Sequence, residues 1–276
     1  MHTPVLLHEV IKTLKVEPNG LYVDATLGEG GYTIEILKLK GKVLGFDYDL
    51  RQIEKLKQGI KNDNLEIVNE NFAEIETIAK KRKFYPVAGV IFDLGLSMDQ
   101  LKNSGKGLSF KNLDEPLDMR IDDRLEDKAR DLLNRLSVNE IYEILARFSE
   151  ELNSGAISKA IVQSRNLKKI VNVGDLINII DAVMGRIDEK VYRRVFQALR
   201  IAVNNEFENL EKGLRGAINI LKKDGVLIVI SFHSLEDRIV KNFVRRNNLR
   251  FLIKKPILGN VDLSYERSAK MRVIGL

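Results

Sequence analysis

The sequence predicts an open, doubly wound α/β fold that is interrupted by a helical subdomain. Four short apolar runs alternate with helical patterns in the first hundred residues, and the next comparable run comes about 130 residues later. Continuous apolar strands separated by helices are typical of a parallel sheet covered on both faces. A crossover between parallel strands needs only about a dozen residues. The long interval, which has helical periodicity, therefore indicates an insertion.

The predicted elements follow the chain in a regular order. Strands are predicted at residues 21–27, 42–49, 65–72, 87–95 and 225–232. Within the insertion, Ser137 and Glu140 form the capping-box pattern that begins a helix. Further helices are predicted at 155–165, 173–184, 189–203 and 205–223, the last with one apolar face that leads back to the sheet. We therefore predict a core formed by residues 1–103 and 204–276 and an inserted helical domain at 104–203.

The composition narrows the class of protein. Of the 276 residues, 44% are hydrophobic and 30% are charged, as in a soluble globular protein. The absence of cysteine excludes disulfides and thiolate metal sites. The three histidines are too few to indicate a zinc site, so no metal is expected. The N-terminal MHTPVLLHEVIKTLK has no basic leader, and no apolar run approaches the roughly 18 residues of a membrane span. We expect a cytoplasmic protein without a membrane partner.

The positive charge is concentrated near the C-terminus. The net charge is +6, and residues 238–276 contain ten Lys and Arg against two acidic residues, which is 10 − 2 = +8. The rest of the chain therefore carries 6 − 8 = −2. A basic tail on a nearly neutral body predicts a polyanionic partner. The alternative is a basic face that only contacts solvent.

A glycine-rich turn follows the first predicted strand, in VDATLGEGG (23–31). Such clusters occur where a strand turns sharply into a helix and a ligand packs against the turn; the alternative is a tight turn without a ligand. A dinucleotide fingerprint requires a further glycine where this chain has Thr33. Asp24, before the glycines, would repel a pyrophosphate but suits the sulfonium and ammonium groups of S-adenosylmethionine. The electrostatics favour this cofactor over a nicotinamide nucleotide.

Acidic residues end three of the predicted parallel strands. Asp47 lies 19 residues after Gly28, where a carboxylate can accept hydrogen bonds from both ribose hydroxyls. Asp93 ends the fourth strand, and Asn71 with Phe72, after the third, could place an amide and an aromatic face beside an adenine ring. Each aspartate could instead cap a helix. Ligands bind at the carboxyl edge of open sheets, however, so three aspartates at strand ends indicate a site.

Several segments, in order along the chain, resemble the bacterial 16S ribosomal RNA cytosine-N4 methyltransferase family. They are HTPVLLHEV (2–10), VDATLGEGG (23–31), KGLSF (106–110), PLDMRID (116–122), VFQALRIAVNNE (195–206), ISFHSLEDRIVK (230–241) and SAKMRV (268–273). The resemblance implies a Rossmann-like class I methyltransferase core with an inserted all-helical subdomain that recognises the substrate. It also implies S-adenosylmethionine as cofactor and N4-methylation of a cytidine in the decoding region of 16S ribosomal RNA, in the small ribosomal subunit.

The resemblance further implies individual contacts with the cofactor. Matched position by position, these are Gly30, Gly31, Tyr32, Asp47, Phe72, Asp93 and Gln100. The family usually has histidine where this chain has Tyr32, and Ser-Ser-Pro-Gln where this chain has Ser-Met-Asp-Gln at 97–100. No DNA partner is expected, and the sequence does not decide between a monomer and a homodimer.

The implied reaction methylates an amine whose lone pair is delocalised into the base. The enzyme must hold this amine about 3–3.5 Å from the methyl carbon and accept hydrogen bonds from it. Asp93 is the predicted catalytic residue, with Ser97 as the alternative acceptor. A cytosine must leave its stack to enter such a pocket, which favours a single-stranded or loop RNA.

The segment SFHSLEDR follows the fifth predicted strand. Ser234 and Asp237 are expected to form a capping box, which leaves His233, at the strand end, as a candidate contact with substrate. Arg238 and Lys241 lie on a basic face of the predicted helix and are predicted to bind the RNA. A non-catalytic RNA-binding factor with the same fold is the remaining alternative.

Overall fold

A computed structural model describes residues 4–263 and 265–276. The helices are α1 (Leu7–Leu14), α2 (Gly31–Lys38), α3 (Leu50–Gly59), α4 (Ile75–Lys81), α5 (Met98–Asn103), α6 (Ala129–Arg135), α7 (Val138–Ser149), α8 (Ser154–Leu167), α9 (Val173–Met184), α10 (Glu189–Asn204), α11 (Glu206–Ile220) and α12 (Ser234–Arg246). The strands are β1 (Leu21–Asp24), β2 (Lys42–Asp47), β3 (Leu65–Asn69), β4 (Val87–Asp93), β5 (Leu221–Ser231), β6 (Arg250–Phe251), β7 (Ile257–Leu258) and β8 (Lys270–Gly275). A single turn of 3₁₀ helix, Phe72–Glu74, precedes α4.

One sheet contains all of these strands, in the order β3-β2-β1-β4-β5-β8-β6, and β7 also pairs with β8. The first five strands are mutually parallel, and β8 runs antiparallel to β5. The predicted doubly wound α/β fold is confirmed. The strand order reverses at β1, whose two neighbours are β2 and β4, and open sheets bind ligands outside the carboxyl ends of the strands at such a reversal.

The strands β1 to β4 begin where the sequence predicts but end earlier, whereas β5 begins at Leu221, four residues before its predicted start. β1 ends at Asp24 rather than at residue 27, and β4 ends at Asp93 rather than at residue 95. Ala25 N makes the last ladder bond of β1, to Ile91 O of β4 at 2.9 Å. The chain then turns, and Leu27 N donates to Phe46 O of β2 at 2.8 Å. The aspartates are therefore the terminal residues of their strands.

The sheet is covered on both faces, as its apolar strands require. Within β4, Val90 and Phe92 belong to one cluster of buried side chains, and Ile91 belongs to a second. All three are fully buried. This alternation fixes the register of β4 between β1 and β5, because a slip by one residue would exchange the two faces.

The chain divides into two compact units, one of Met1–Gly95 with Phe207–Leu276 and one of Leu96–Glu206. The second unit contains α5 to α10, and α6 to α10 contribute most of its own apolar core. Ser137 caps α7 through the predicted capping box with Glu140. The unit begins at Leu96 and ends at Glu206, whereas the sequence placed the insertion at 104–203.

The C-terminal segment is not a tail, as the sequence analysis described it. Residues 234–246 form α12, and residues 270–275 form β8, inside the sheet. Arg272 pairs with Asp237 and stacks over the ring of Phe251, with its guanidinium carbon 4.9 Å from the ring centroid. Part of the predicted basic surface is thus internal to the fold. The described helices include none that is long and apolar enough to cross a membrane.

Candidate active site

Three aspartates lie at the carboxyl edge of the sheet, on β1 and on the strands either side of it. Asp24 aligns with Gly45 of β2 and with Ile91 of β4. Asp47 and Asp93 are each two residues further along those neighbouring strands, so they flank the end of β1. We refer to Asp24, Asp47 and Asp93 as the edge aspartates. The sequence analysis expected an aspartate at the end of each of these strands, although it drew each strand two or three residues too long.

Asp24 faces into the protein. Its carboxylate accepts a hydrogen bond from Thr33 Oγ1 at 2.8 Å and from Thr26 N at 3.4 Å, and the residue is fully buried. Thr33 thus has a role that the sequence analysis did not assign, since it was noted only as a departure from a dinucleotide motif. Each oxygen of Asp24 thus accepts a hydrogen bond from the residues that follow β1.

Asp47 holds the glycine-rich turn in place. Its Oδ2 accepts a hydrogen bond from Gly28 N at 2.8 Å, and its Oδ1 accepts one from Asp49 N at 2.8 Å. Each carboxylate oxygen has a second lone pair, so these bonds leave Asp47 able to accept the ribose hydroxyls that the sequence analysis proposed. The strand-end aspartate therefore has a structural function in addition to any contact with a ligand.

Glycine is required in this turn for two different physical reasons, the backbone conformation and the space available. Gly28 and Gly30 have φ values of +49° and +75°, a region that strains residues with a side chain. A Cβ at Gly30 would lie 2.6 Å from Leu56 Cδ1, and one at Gly31 would lie 2.0 Å from Pro4 Cγ. Packing within the chain therefore explains the glycine at position 31. At Gly28 an added Cβ would meet only the carbonyl of Thr26, at 3.9 Å, so the positive φ alone explains the glycine there.

Asp93 is held from two sides. Its backbone N donates to Thr26 Oγ1 at 2.7 Å, and its Oδ2 lies 3.1 Å from the hydroxyl of Tyr32. Its Oδ1 is buried and has no hydrogen-bond partner. Buried polar atoms are seldom left without a partner, so Oδ1 is a free acceptor at the position where the sequence analysis placed the catalytic residue.

The pKa values of the edge aspartates are all raised. Burial raises the pKa of Asp24 to about 6 and, as the largest cause, raises those of Asp47 and Asp93 to about 7. The charge of Asp24 raises the other two further, and Glu236 acts in the same direction on Asp93. Within the described part of the chain, no lysine or arginine forms an ion pair with any of the three.

The aromatic and amide groups after β3 have structural partners. The ring of Phe72 is packed edge-on against Phe92, with centroids 5.3 Å apart, and only 7% of the residue is exposed. Asn71 Oδ1 accepts a hydrogen bond from Ala73 N and so caps the 3₁₀ turn. The contact of Phe72 with an adenine ring stays a prediction.

The cap of α12 differs from the prediction. The sequence analysis paired Ser234 with Asp237, but the N-cap is His233, whose Nδ1 accepts a hydrogen bond from Glu236 N at 3.3 Å. Glu236 Oε2 accepts hydrogen bonds from Phe232 N and from His233 N. The prediction failed because serine is a preferred capping residue and histidine is not.

The cap also fixes the tautomer of the neutral imidazole. Since Nδ1 of His233 accepts a hydrogen bond, the ring proton is on Nε2. Nε2 lies 3.1 Å from Glu236 Oε1, and it is buried without a hydrogen-bond partner. His233 can therefore donate a hydrogen bond to a substrate but cannot serve as a base at Nε2 while it caps the helix.

The other predicted site residues are distributed over both units. Gln100 belongs to the second unit, where its side chain accepts from Ser97 N and completes the capping box of α5. Arg238 is exposed on α12. Lys241, one turn along, is half exposed and lies 3.4 Å from Asp237 Oδ2. Among residues 4–263 and 265–276, no group of three or more His, Cys, Asp or Glu side chains is arranged to hold a metal ion.

The sequence of this chain is similar to those of several known proteins. The model of the MraW methylase family matches residues 1–274. The chain is 40% identical to the ribosomal RNA small subunit methyltransferase H of Clostridium botulinum, with 99% of this chain and 97% of that protein aligned. It is 38% identical to the protein of the same name from Cytophaga hutchinsonii, over 98% and 91%. A solved rRNA methylase from Streptococcus thermophilus aligns over 100% of this chain and 98% of its own, with 10% identity and a TM-score of 0.46.

Proposed function

Because the chain belongs to the MraW methylase family and S-adenosylmethionine is its cofactor, we propose that it methylates RNA of the small ribosomal subunit. The modified atom is N4 of a cytidine in the decoding region of 16S ribosomal RNA, and the reaction takes place in the cytoplasm. The names of the relatives support the small-subunit substrate. The segments that resemble the cytosine-N4 methyltransferases support the choice of atom.

The edge aspartates are the observation that carries the proposal. Three carboxyl groups lie at one edge of the sheet, with pKa values raised by burial and without ion pairs from the described residues. Their mutual repulsion falls when a cation binds nearby. S-adenosylmethionine carries a sulfonium and an ammonium group, whereas a pyrophosphate cofactor would add negative charge. The site therefore fits this cofactor and not a nicotinamide nucleotide.

We assign the cofactor contacts as the family resemblance implies. Asp47 accepts hydrogen bonds from the ribose, and Asp93 accepts one from an N–H group. Gly30, Gly31 and Tyr32 line the turn between β1 and α2. Phe72 and Gln100 complete the set of cofactor-binding residues. The bonds from Asp47 to Gly28 N and Asp49 N support its role, because they hold the carboxylate in place before the ligand arrives.

The cofactor supplies an electrophilic methyl group, and the protein supplies position and charge. Catalysis requires the exocyclic amine in line with the methyl, about 3–3.5 Å away. The amine needs an acceptor for its N–H bonds as its lone pair leaves conjugation with the ring. Asp93 is our catalytic residue, because its free Oδ1 is an acceptor whose neighbouring oxygen is already fixed. The proton that the amine loses passes to a carboxylate or to solvent.

Substrate binding is assigned to α12 and to the inserted unit. His233 offers the N–H of Nε2 to the target nucleotide. Arg238 and Lys241, on α12, bind the RNA backbone, and the inserted helical unit recognises the fold of the ribosomal RNA. An extruded base suits this arrangement because chemistry on a base requires it to leave its stack.

Incubation with labelled S-adenosylmethionine and immature small ribosomal subunits tests the proposal. We expect label in 16S RNA, and nuclease digestion should give N4-methylcytidine. Asp93→Asn should lower the rate by about 10²–10⁴-fold, while Asp114→Asn, at an exposed position, should not change it. Label in another nucleotide would contradict the choice of atom, and no label in any RNA would contradict the substrate class.

A further inference from the structure

The hydroxyl of Tyr32 lies between two acceptors. It is 2.6 Å from the carbonyl oxygen of Val5, in the segment that precedes α1, and 3.1 Å from Oδ2 of Asp93. The residue is buried, with 4% of its surface exposed. A phenol carries one proton, so it can donate to only one of these acceptors at a time.

Because of this contact, the two oxygens of the Asp93 carboxyl group have different surroundings. Oδ2 faces the Tyr32 hydroxyl, and Oδ1 is buried without any hydrogen bond. The backbone of Asp93 is fixed by its bond to Thr26 Oγ1. The carboxyl therefore cannot turn without breaking a contact, and the oxygen that remains for a ligand is Oδ1.

We propose that Tyr32 is a positioning residue: by binding Oδ2 of Asp93 it fixes the carboxylate so that Oδ1 accepts a hydrogen bond from an N–H group of a ligand. The inference rests on the proposed function for the identity of that ligand. Two N–H donors have the required chemistry, the ammonium group of S-adenosylmethionine and the exocyclic amine of the target base.

The charges around Asp93 explain why it needs this partner. Burial is the largest cause that raises the pKa of Asp93 to about 7, and the carboxylates of Asp24 and Glu236 raise it further. The hydroxyl of Tyr32 and, to a smaller extent, the nearby backbone N–H of Gly95 lower it. Around Tyr32 itself, burial and the charges of Asp93, Asp24 and Glu266 raise the pKa of the phenol well above its usual value, so it stays protonated. Tyr32 is thus a hydrogen-bond donor that favours the ionised form of Asp93.

Ionisation of Asp93 decides where the Tyr32 proton points. Hydrogen bonds to a charged acceptor are roughly twice as strong as those between neutral groups. When Asp93 is neutral, the proton points to Val5 O, which is nearer; when Asp93 ionises, the proton turns to Oδ2. The family that this chain resembles usually has histidine at position 32, so Tyr32→His is the natural conservative variant.

Titration of the ligand-free protein tests the proposal without any substrate. The carboxyl carbons of ¹³C-labelled aspartate can be followed by NMR, and Asp93→Asn identifies the Asp93 signal. We expect Tyr32→Phe to raise the Asp93 midpoint by about one pH unit and Tyr32→His to raise it less. Tyr22→Phe is the matched control, because its buried hydroxyl accepts a single bond, from Glu17 N, and should leave the midpoint unchanged. An Asp93 midpoint that is the same in Tyr32→Phe and in wild type would overturn the proposal.

Binding and turnover at pH 6.5 then identify the N–H donor. If the donor is the ammonium group, Tyr32→Phe should weaken S-adenosylmethionine binding by about tenfold in calorimetry, while kcat at saturating cofactor changes little. If the donor is the amine, the cofactor Kd should be unchanged and kcat should fall. A variant equal to wild type in both would contradict the role of Oδ1. Failure of the wild type to methylate ribosomal RNA would instead count against the proposed function, because the NMR and calorimetric measurements use no RNA.

Discussion

Two groups of aspartates in this protein have pKa values that are shifted in opposite directions. Burial raises the pKa of the edge aspartates, to about 6 for Asp24 and to about 7 for the other two. In the second unit, Asp118 and Asp122, which we call the loop aspartates, have pKa values below the usual range. Burial opposes their ionisation as well, but their arginine partners outweigh it.

The difference lies in the donors that surround each group. Arg120 donates to both oxygens of Asp118, from Nε at 2.7 Å and from Nη2 at 3.0 Å. Arg124 donates to Asp122 in the same manner. These are bidentate bonds between charged groups, among the strongest in proteins. The edge aspartates accept only from backbone N–H groups and hydroxyls, and none of the described cations pairs with them.

The comparison separates structural from functional carboxylates. The loop aspartates have their cations within the chain, so their charge is balanced in the folded protein. None of the described cations balances the edge aspartates, so we expect a bound cation to balance them, as at a ligand site. The first set therefore contributes to folding, and the second set is held at a cost in stability until the ligand arrives.

The two groups also predict opposite dependences on pH. A carboxyl whose folded pKa is raised contributes stability that is present below its unfolded pKa, near 4, and lost as pH rises through the folded value. For the edge aspartates this loss occurs between about pH 4 and pH 7. For the loop aspartates, stability is present above the unfolded pKa and is lost as pH falls below about 4.

The largest expected effect is on stability. Asp118→Asn should lower the free energy of unfolding by about 1.5–3 kcal/mol at pH 8, because Arg120 loses bonds to a charged acceptor. Asp93→Asn should not lower it at that pH, because it removes a charge that no described cation balances. Urea denaturation of both variants measures the difference. If the two variants lose the same free energy of unfolding, the edge aspartates and the loop aspartates do not differ in the way described.

The next effect is on cofactor affinity. Asp47→Ala should weaken S-adenosylmethionine binding about 10- to 100-fold, since it removes a charged acceptor and releases Gly28 N. The protein should stay folded. Asp63→Ala, which removes an exposed carboxylate before β3, is the matched control and should bind normally. If the Asp47 variant folds and binds as tightly as wild type, Asp47 is not part of the site.

The smallest effect concerns the basic face of α12. A triple alanine variant at Lys241, Arg245 and Arg246 should keep its cofactor affinity but bind the ribosomal substrate more weakly. The slope of log K against log salt should become shallower by about 0.7–0.9 for each phosphate that the variant no longer neutralises. We expect the decrease to be smaller than three phosphates would give, because Lys241 already pairs with Asp237, and Arg246 Nη1 lies 3.9 Å from Glu211 Oε1.

The control for this variant is a second triple alanine variant at Lys57, Lys61 and Lys81, which are exposed elsewhere in the same unit. It removes equal charge but should leave the salt slope unchanged. Equal slopes in all three proteins would show that α12 contacts only solvent, and the RNA would then be held by other surfaces.

The sequence predicted the elements that depend on local pattern. The five parallel strands, the aspartates at their ends and the Ser137 cap all follow from apolar periodicity and capping preference. β8 was missed although SAKMRV alternates polar and apolar residues, because the segment was read only as a family motif. Its antiparallel place beside β5 depends on contacts distant in sequence. The His233 cap was missed because histidine is an uncommon N-cap.

The site was predicted in position but not in detail. Nothing local indicates that Thr33 binds Asp24 or that Pro4 fills the space beside Gly31. The pairing of Tyr32 with Asp93 joins residues 61 positions apart. Such contacts depend on how strands and turns meet at the edge of the sheet, and a single sequence does not report them.

The affinities of S-adenosylmethionine and S-adenosylhomocysteine across pH test the central claim most directly. The product lacks the positive charge on sulfur but has the same ribose and adenine. If a bound cation balances the edge aspartates, the affinity for S-adenosylmethionine divided by that for S-adenosylhomocysteine should rise with pH. The rise should occur between about pH 5.5 and pH 8, through the pKa values near 6 and 7. Calorimetry should also show protons released on binding. A ratio that stays constant over this range, with no proton release, would contradict the account.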